Sequence, residues 1–277
     1  MDGTTKEMMK NASEEISEVC ILSDSQDKPF IIGRVHGVGK RDIQQDTLGV
    51  SDPEDDMSLR KKGLLTIVAD GMGGLLEGDR ISSLTVISML QGFDRIDDVS
   101  VPASVLLKLL FDANEAVNRS FSAEDGKGGS TVVAALFNRN HLSFISVGDS
   151  RICIYRDGEL KQLNRDHNYG TQLDESFRMG EISCDRAAYA KHRRALTSYI
   201  GMGKLALVDQ NEIPIELHTG DRVLLMTDGV YGTVTEGELL KLLALSYKEF
   251  LYGLYGALQS CNKKKQDNYT CLMVEIR

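Results

Sequence analysis

No stretch of the 277 residues approaches the run of about 18 apolar residues that a membrane-spanning helix needs, and Met1-Asp2-Gly3-Thr4 opens no apolar signal core. The chain is therefore read as having no membrane span. Cysteine is sparse: Cys20, Cys153, Cys184, Cys261 and Cys271 are odd in number, scattered, and form no C-x-x-C pair. That argues against a disulfide framework or a zinc site and predicts a reducing, cytoplasmic setting. The five histidines show no metal spacing such as H-E-x-x-H. Positive charge is also short. A formal net charge of −9 leaves no basic face for nucleic acid and is compatible with cation binding. No internal repeat is visible, and no Pro- or Ser-rich linker divides the chain after residue 28. With 42% apolar residues, enough for a sizeable core, one domain is expected over 29–277. Residues 1–28 are read as a polar tail whose short apolar patch, Val19-Cys20-Ile21-Leu22, could add one turn or strand.

What is present is organised around Leu64-Leu65-Thr66-Ile67-Val68-Ala69-Asp70-Gly71-Met72-Gly73-Gly74. The apolar, partly β-branched run predicts a strand buried on both faces. Its terminal carboxylate costs several kcal/mol to bury unless a positive charge compensates it. The glycines beside it let the backbone turn and bring carbonyl oxygens close to a ligand. A hard cation on Asp70 is one reading; a strand closed by a simple Asp-Gly turn is the other. Arg222 to Gly229 repeats the grammar of strand, Asp228 and glycine, Asp267-Asn268 leads into the apolar Cys271–Ile276 run, and Asp46 ends Arg41-Asp42-Ile43-Gln44-Gln45-Asp46. Four such acids could meet only in the folded chain. Converging unpaired carboxylates repel, so a cluster of them calls for divalent cations.

These motifs, with Gly129-Ser130-Thr131 and Val147-Gly148-Asp149-Ser150-Arg151, stand in an order that resembles the metal-dependent protein phosphatases (PPM family) in their bacterial form. The resemblance runs from about Ile31 to Ile276. It implies an α+β fold, an αββα four-layer sandwich of two antiparallel sheets flanked by helix pairs. It also implies hydrolysis of phosphoserine and phosphothreonine by direct attack of a metal-bridging hydroxide, with two divalent cations, Mn2+ or Mg2+, as cofactors. By the same resemblance Asp70 bridges both ions and the Gly71 carbonyl contributes to one. Asp228 and Asp267 complete the other site, Asp46 acts through bound water, and Arg41 holds the substrate phosphate, a task suited to its planar fork. Gln45 and Asn268 stand behind these groups.

Several positions depart from the family pattern. Gln45 replaces a glutamate that contacts the second metal, so weaker metal binding is expected there. Met72 stands where animal members place a histidine, and methionine cannot donate a proton. Ser198 stands where many relatives carry arginine. For Asp149, turn residue and third-metal ligand remain open alternatives; Gly232 occupies the place of an acidic partner, so the ligand count argues against a third metal. The implied partners are phosphorylated proteins, substrates of a Hanks-type kinase. The alternatives are a non-catalytic phosphoprotein-binding scaffold of the same fold and a regulatory phosphatase of a sigma-factor control pathway.

Among the flanking elements, helical spacing of apolar residues predicts helices over Asp79–Phe93 and Val101–Phe121. Strands are expected over Ser130–Phe137, His141–Val147 and Arg151–Tyr155, as a meander. Residues 51–63 read as a hairpin loop, 166–194 as an irregular flap, Thr235–Leu245 as a helix opened by a Thr-x-x-Glu cap, and Phe250–Leu258 as a final helix. Lys263-Lys264-Lys265 reads as a solvated loop.

Overall fold

A computed structural model of the chain describes residues 18–72, 77–121, 128–261 and 266–277. Gly73, Gly74 and the lysine run at 263–265 lie outside the described residues. The first sheet has the order β1-β2-β13-β12-β8-β9: β1 (Val19–Ser23), β2 (Phe30–Gly37), β13 (Tyr269–Ile276), β12 (Arg222–Met226), β8 (Arg151–Arg156) and β9 (Glu159–Gln162). The second runs β10-β7-β6-β4-β3: β10 (Asp209–Gln210), β7 (His141–Val147), β6 (Val132–Asn138), β4 (Leu64–Met72) and β3 (Asp46–Val50). Two short strands join it, β5 (Gly129–Ser130) on β4 and β11 (Ile215–Glu216) on β7. Every strand pairing is antiparallel.

The pleat sorts side chains into layers. In β4, Leu65, Ile67 and Ala69 face α2 (Gly78–Asp94) and α3 (Pro102–Ser120), where Met89, Phe93, Leu106 and Leu110 complete one core. The alternate residues Leu64 and Val68 face the other sheet and meet Ile32, Ile152, Leu225 and Leu272. On that sheet's outer side, Val35, Leu224, Met226 and Met273 pack beneath α7 (Glu236–Leu243) and α8 (Tyr247–Gln259). The layers are thus helix, sheet, sheet, helix, the αββα sandwich. Period-two alternation carries chemistry too: Asp70 continues the parity of Leu64 and Val68, and Asp46 that of Leu48 and Val50, so both acids belong to the face between the sheets.

The predicted helices and strands appear with ends shifted by a residue or two, except where local capping was overlooked. Residues 51–63 are not merely a loop: α1 (Asp56–Lys62) begins where the Asp55 side chain accepts from the N–H groups of Met57 and Ser58. It buries no residue, so it leaves no apolar stripe to read. The irregular flap likewise contains α4 (Tyr169–Arg178) and α5 (Cys184–Ala188), capped by Asn168 and Ser183. The final helix starts earlier than expected because Ser246 and Glu249 form a capping box, and the Thr235–Glu238 box opens α7 as predicted. Val19–Ser23, within the stretch read as a tail, is the edge strand β1 against β2. Among the described residues no helix is long and apolar enough to cross a membrane.

A candidate dinuclear metal centre

β3 and β4 meet in a register that sets Asp46 opposite Asp70. Because the Gly71 N–H donates to the Gln45 carbonyl at 3.0 Å, the two acids form a non-hydrogen-bonded pair, the class in which facing Cα atoms approach to about 4.5 Å. Asp70 uses its own backbone on the other side, where its N–H donates to Thr131 Oγ1 and its carbonyl accepts from the Thr131 N–H. Two carboxylates are thereby forced together at the end of the inter-sheet layer. Asp46 is 4% exposed. Its Oδ2 accepts from Thr227 Oγ1 at 2.9 Å and Thr270 Oγ1 at 2.7 Å, while its Oδ1 is buried without a partner.

The remaining acids come from three further segments. Asp228 opens α6 (Asp228–Tyr231) directly after β12, and Asp267 precedes β13. Gly229 lets these two segments close on each other: a Cβ there would fall inside the Asn268 carbonyl group and lie 3.1 Å from the Tyr269 Cα. Asn268 stitches the same loop to the 38–45 segment. Its Oδ1 accepts from the Gln45 N–H at 2.9 Å, and its Nδ2 donates to the carbonyls of Val38 and Ile43. Gly71 is gripped as tightly, since a Cβ there would lie 2.5 Å from the Gly78 carbonyl carbon and 2.6 Å from the Gln45 oxygen. The Gln45 side chain rests against Gly78. Asp149, in the turn between β7 and β8, shares a cavity of about 300 Å³ with Asp228, Asp166, Tyr231 and Gly232.

Mutual repulsion shows in the titration of these groups. Burial, then the Asp228 and Asp267 charges, push Asp46 up to about 7 against the pull of its two threonines. Burial and the charges of Asp46, Asp228, Asp149 and Asp267 hold Asp70 well above the usual carboxylate range. Asp149 is raised to about 7 by burial and by Asp228 and Asp166, and Asp228 is raised by burial and by Asp267. Five acids therefore sit in one another's field. They do not, among the described residues, close into a compact set of three or more metal-ligating side chains. Asp267 is drawn aside by Arg41, whose Nη2 donates to its Oδ2 at 2.6 Å. The residues fit a divalent cation on one telling point. Asp46 Oδ1 is a buried carboxylate oxygen with no donor, an arrangement that only a cation or a proton relieves.

All the predicted acids lie at this end of the sandwich, with Arg41 at its exposed rim and Gln45 and Asn268 behind it. Sequence reasoning missed the support beneath them. Thr227 follows the β12 run and caps α6, Thr270 is the second residue of β13, and both read as ordinary β-formers, although their position between an acid and an apolar run was a usable signal. His36 Nδ1 lies 2.9 Å from Thr270 Oγ1, extending that support. Arg151 binds Asp166 through both Nε and Nη2 and stacks 3.8 Å over the Tyr231 ring, below the Asp149 cavity. Ser198 is fully buried and spends its hydroxyl on the Leu207 N–H and carbonyl. One outcome follows for the threonines. Thr270→Val keeps the shape but removes the shorter Asp46 bond, and should weaken divalent-metal affinity by about 10–100-fold, the range for outer-shell partners. Metal titration followed by calorimetry checks this, with the melting temperature of the metal-free protein as control.

Known proteins share sequence and fold with this chain. Residues 68–183 match the sequence profile of the family described as Protein phosphatase 2C. The serine/threonine phosphatase stp of Listeria monocytogenes serotype 4b is 30% identical over 248 residues, 85% of this chain and 91% of its own length. The serine/threonine protein phosphatase PstP of Mycobacterium tuberculosis is 33% identical over 192 residues, 65% of this chain and 34% of its length. The solved Streptococcus agalactiae serine/threonine phosphatase superposes with a TM-score of 0.75 at 24% identity, over 90% of this chain and all of that one. The PstP catalytic domain in complex with two manganese ions superposes with a TM-score of 0.68 at 25% identity, over 89% and 98% of the two chains. With the sandwich, the facing acids and this length of shared sequence together, the chain belongs to the protein phosphatase 2C (PPM) family of divalent-metal-dependent serine/threonine phosphatases.

Proposed function

We propose that the chain hydrolyses phosphoserine and phosphothreonine in proteins at the Asp46–Asp70 centre, using two Mn2+ or Mg2+ ions. The observation that supports this best is the forced facing of Asp46 and Asp70 with an unpartnered Asp46 oxygen between the sheets. In this assignment Asp70, Asp228, Asp267 and the Gly71 carbonyl hold the ions, and Asp46 serves them from its free Oδ1. An all-oxygen set suits manganese or magnesium over softer metals. Two such ions supply a nucleophile at neutral pH and neutralise charge on the phosphoryl oxygens. Thr227 and Thr270 fix the Asp46 rotamer by claiming one of its oxygens, which leaves the other directed to the centre.

Arg41 binds the substrate phosphate. Its side chain is 54% exposed at the rim, where Asp267 steadies it and where a phosphoryl group can arrive from solvent. Asp267 Oδ2 serves either the guanidinium or a cation, so engagement of Asp267 within the centre frees Arg41 for the phosphate. Met72, at the end of β4, offers no proton, so protonation of the leaving alkoxide falls to another group. The partners we propose are phosphoproteins of a Hanks-type kinase in the cytoplasm, without nucleic acid or membrane. Phosphate release from a phosphothreonine peptide tests the assignment. Turnover should require manganese or magnesium and stop with chelator; a folded sample that is inert at millimolar manganese overturns it.

A further inference from the structure

At the other end of the second sheet lies a cavity of about 450 Å³, within the range of small-ligand pockets. Phe137 pairs with Leu64, six residues up β4 from Asp70, so the cavity sits about 20 Å from the acids at the usual rise of a strand. Its walls are cationic, although the chain as a whole carries −9. Arg60 and Lys61 come from the last turn of α1, and Arg139 from the β6–β7 turn, where φ of +56° turns the chain sharply. His141 adds an imidazole from the start of β7. Of the acids, Asp98 alone lines the space, and its carboxylate is occupied by the Ser100 N–H and hydroxyl at 2.9 Å each. Lys61 shares its charge with Asp97 at 3.5 Å; Arg60 lies in the field of Asp56 one turn back on α1 without a close ion pair, and Arg139 makes no ion pair among the described residues.

Two further features point inward. α3 starts here with Pro102 as its first residue and Val101 as a cap that offers no side-chain acceptor, and no acid lies in its first turn. Pro102 lines the cavity, so the positive pole of a 19-residue helix starts at its wall. At the floor, Ser143 lines the cavity at 2% exposure, and its hydroxyl bonds to no described residue. A Ser143 hydroxyl that opens only onto the cavity, two exposed guanidinium groups at its mouth and a helix start without a side-chain cap converge on the same space. One ligand type meets all of them: a dianion with several acceptor oxygens and a body of small-molecule size.

We propose that this cavity is a binding site for a phosphate monoester group, distinct from the metal centre. The phosphoryl oxygens would accept from the α3 N-terminus, Ser143 Oγ and the Arg60 and Arg139 forks. The group can belong to a free organic phosphate or to a phosphorylated side chain. Phosphonates separate the two sources, because the enzyme cannot hydrolyse their C–P bond. The magnesium-loaded full-length protein is titrated with methylphosphonate and, separately, with a peptide bearing the phosphonate analogue of phosphothreonine, while backbone amide NMR signals are followed. Saturable shifts at Ala103, Ser104 and Ser143 support the site. Methylphosphonate alone producing them assigns it to free phosphates, and the peptide doing so as well assigns it to phosphoproteins. The Arg60→Gln/Arg139→Gln double variant should raise Kd at least about tenfold, the loss expected for charge-assisted bonds, with peptide turnover unchanged. Shifts confined to residues around Asp70, or equal shifts in the double variant, overturn the proposal.

Discussion

Asp70→Asn should abolish metal-dependent turnover and at the same time stabilise the metal-free protein. The first effect should exceed the about 10–100-fold that outer-shell changes cost, because in the proposed centre Asp70 is the acid shared by both ions. The second has the opposite sign for an electrostatic reason. Burial and four neighbouring carboxylates hold Asp70 above its ordinary range, so ionising it works against the fold. Asp46 and Asp149, raised to about 7, behave likewise. Carboxylates in the unfolded chain lose their protons near pH 4. Between there and pH 7 the native state binds more protons than the unfolded state, so metal-free stability falls as pH rises through that window and levels off above it. The variant carries one acid fewer and should show a shallower decline, with a higher melting temperature at pH 8. Thermal melts in chelator from pH 4 to 8 read the slope, and magnesium should flatten it in the native protein. A variant that is both inactive and less stable at pH 8 would mean that Asp70 holds the fold rather than the metals.

Gly229→Ala should be the most tightly opposed added methyl among the described glycines, set against the Asn268 oxygen. The added Cβ would meet backbone, not a side chain that can turn away: the Asn268 carbonyl, and the Tyr269 Cα at 3.1 Å. Overpacking of this kind costs up to about 3 kcal/mol or more. The only relief available is to move the 267–269 segment away from α6, which separates Asp267 from Asp228 and strains the Asn268 bonds to Val38, Ile43 and Gln45. Loss of activity and loss of stability should therefore arrive together. Gly237→Ala is the matched control. It lies within α7 with nothing within 4 Å of the new Cβ, and should stabilise by up to about 1 kcal/mol through helix propensity. Chemical denaturation of both variants, beside peptide turnover, separates the two glycines; equal stability of the two would refute the close approach.

The sheets and long helices were legible because apolar period announces burial, and Leu64–Val68 or Leu106–Leu110 can be buried in few other ways. Helices α1, α4 and α5 were not legible as such, since polar caps start them and little or nothing apolar holds them down. The acids could be found from a repeated local grammar of strand end, aspartate and glycine. What no local pattern carries is the register that sets Asp46 against Asp70, or the choice of Thr227 and Thr270 as the hydroxyls beneath Asp46. Those depend on pairings that reach from 24 residues, Asp46 to Asp70, up to 224, Asp46 to Thr270, and only the assembled sandwich fixes them.

β13 is the last of the described strands, yet it lies inside its sheet, hydrogen-bonded to β2 on one side and β12 on the other. Until it is in place, the first and the later strands of that sheet have no common neighbour, and Thr270 and Asp267 are absent from the centre. A ribosome-bound chain that has made everything up to residue 259 thus holds four of the five acids but neither the joined sheet nor the complete site. A chain lacking β13 has two half-sheets with open edges for proteases and chaperones to recognise.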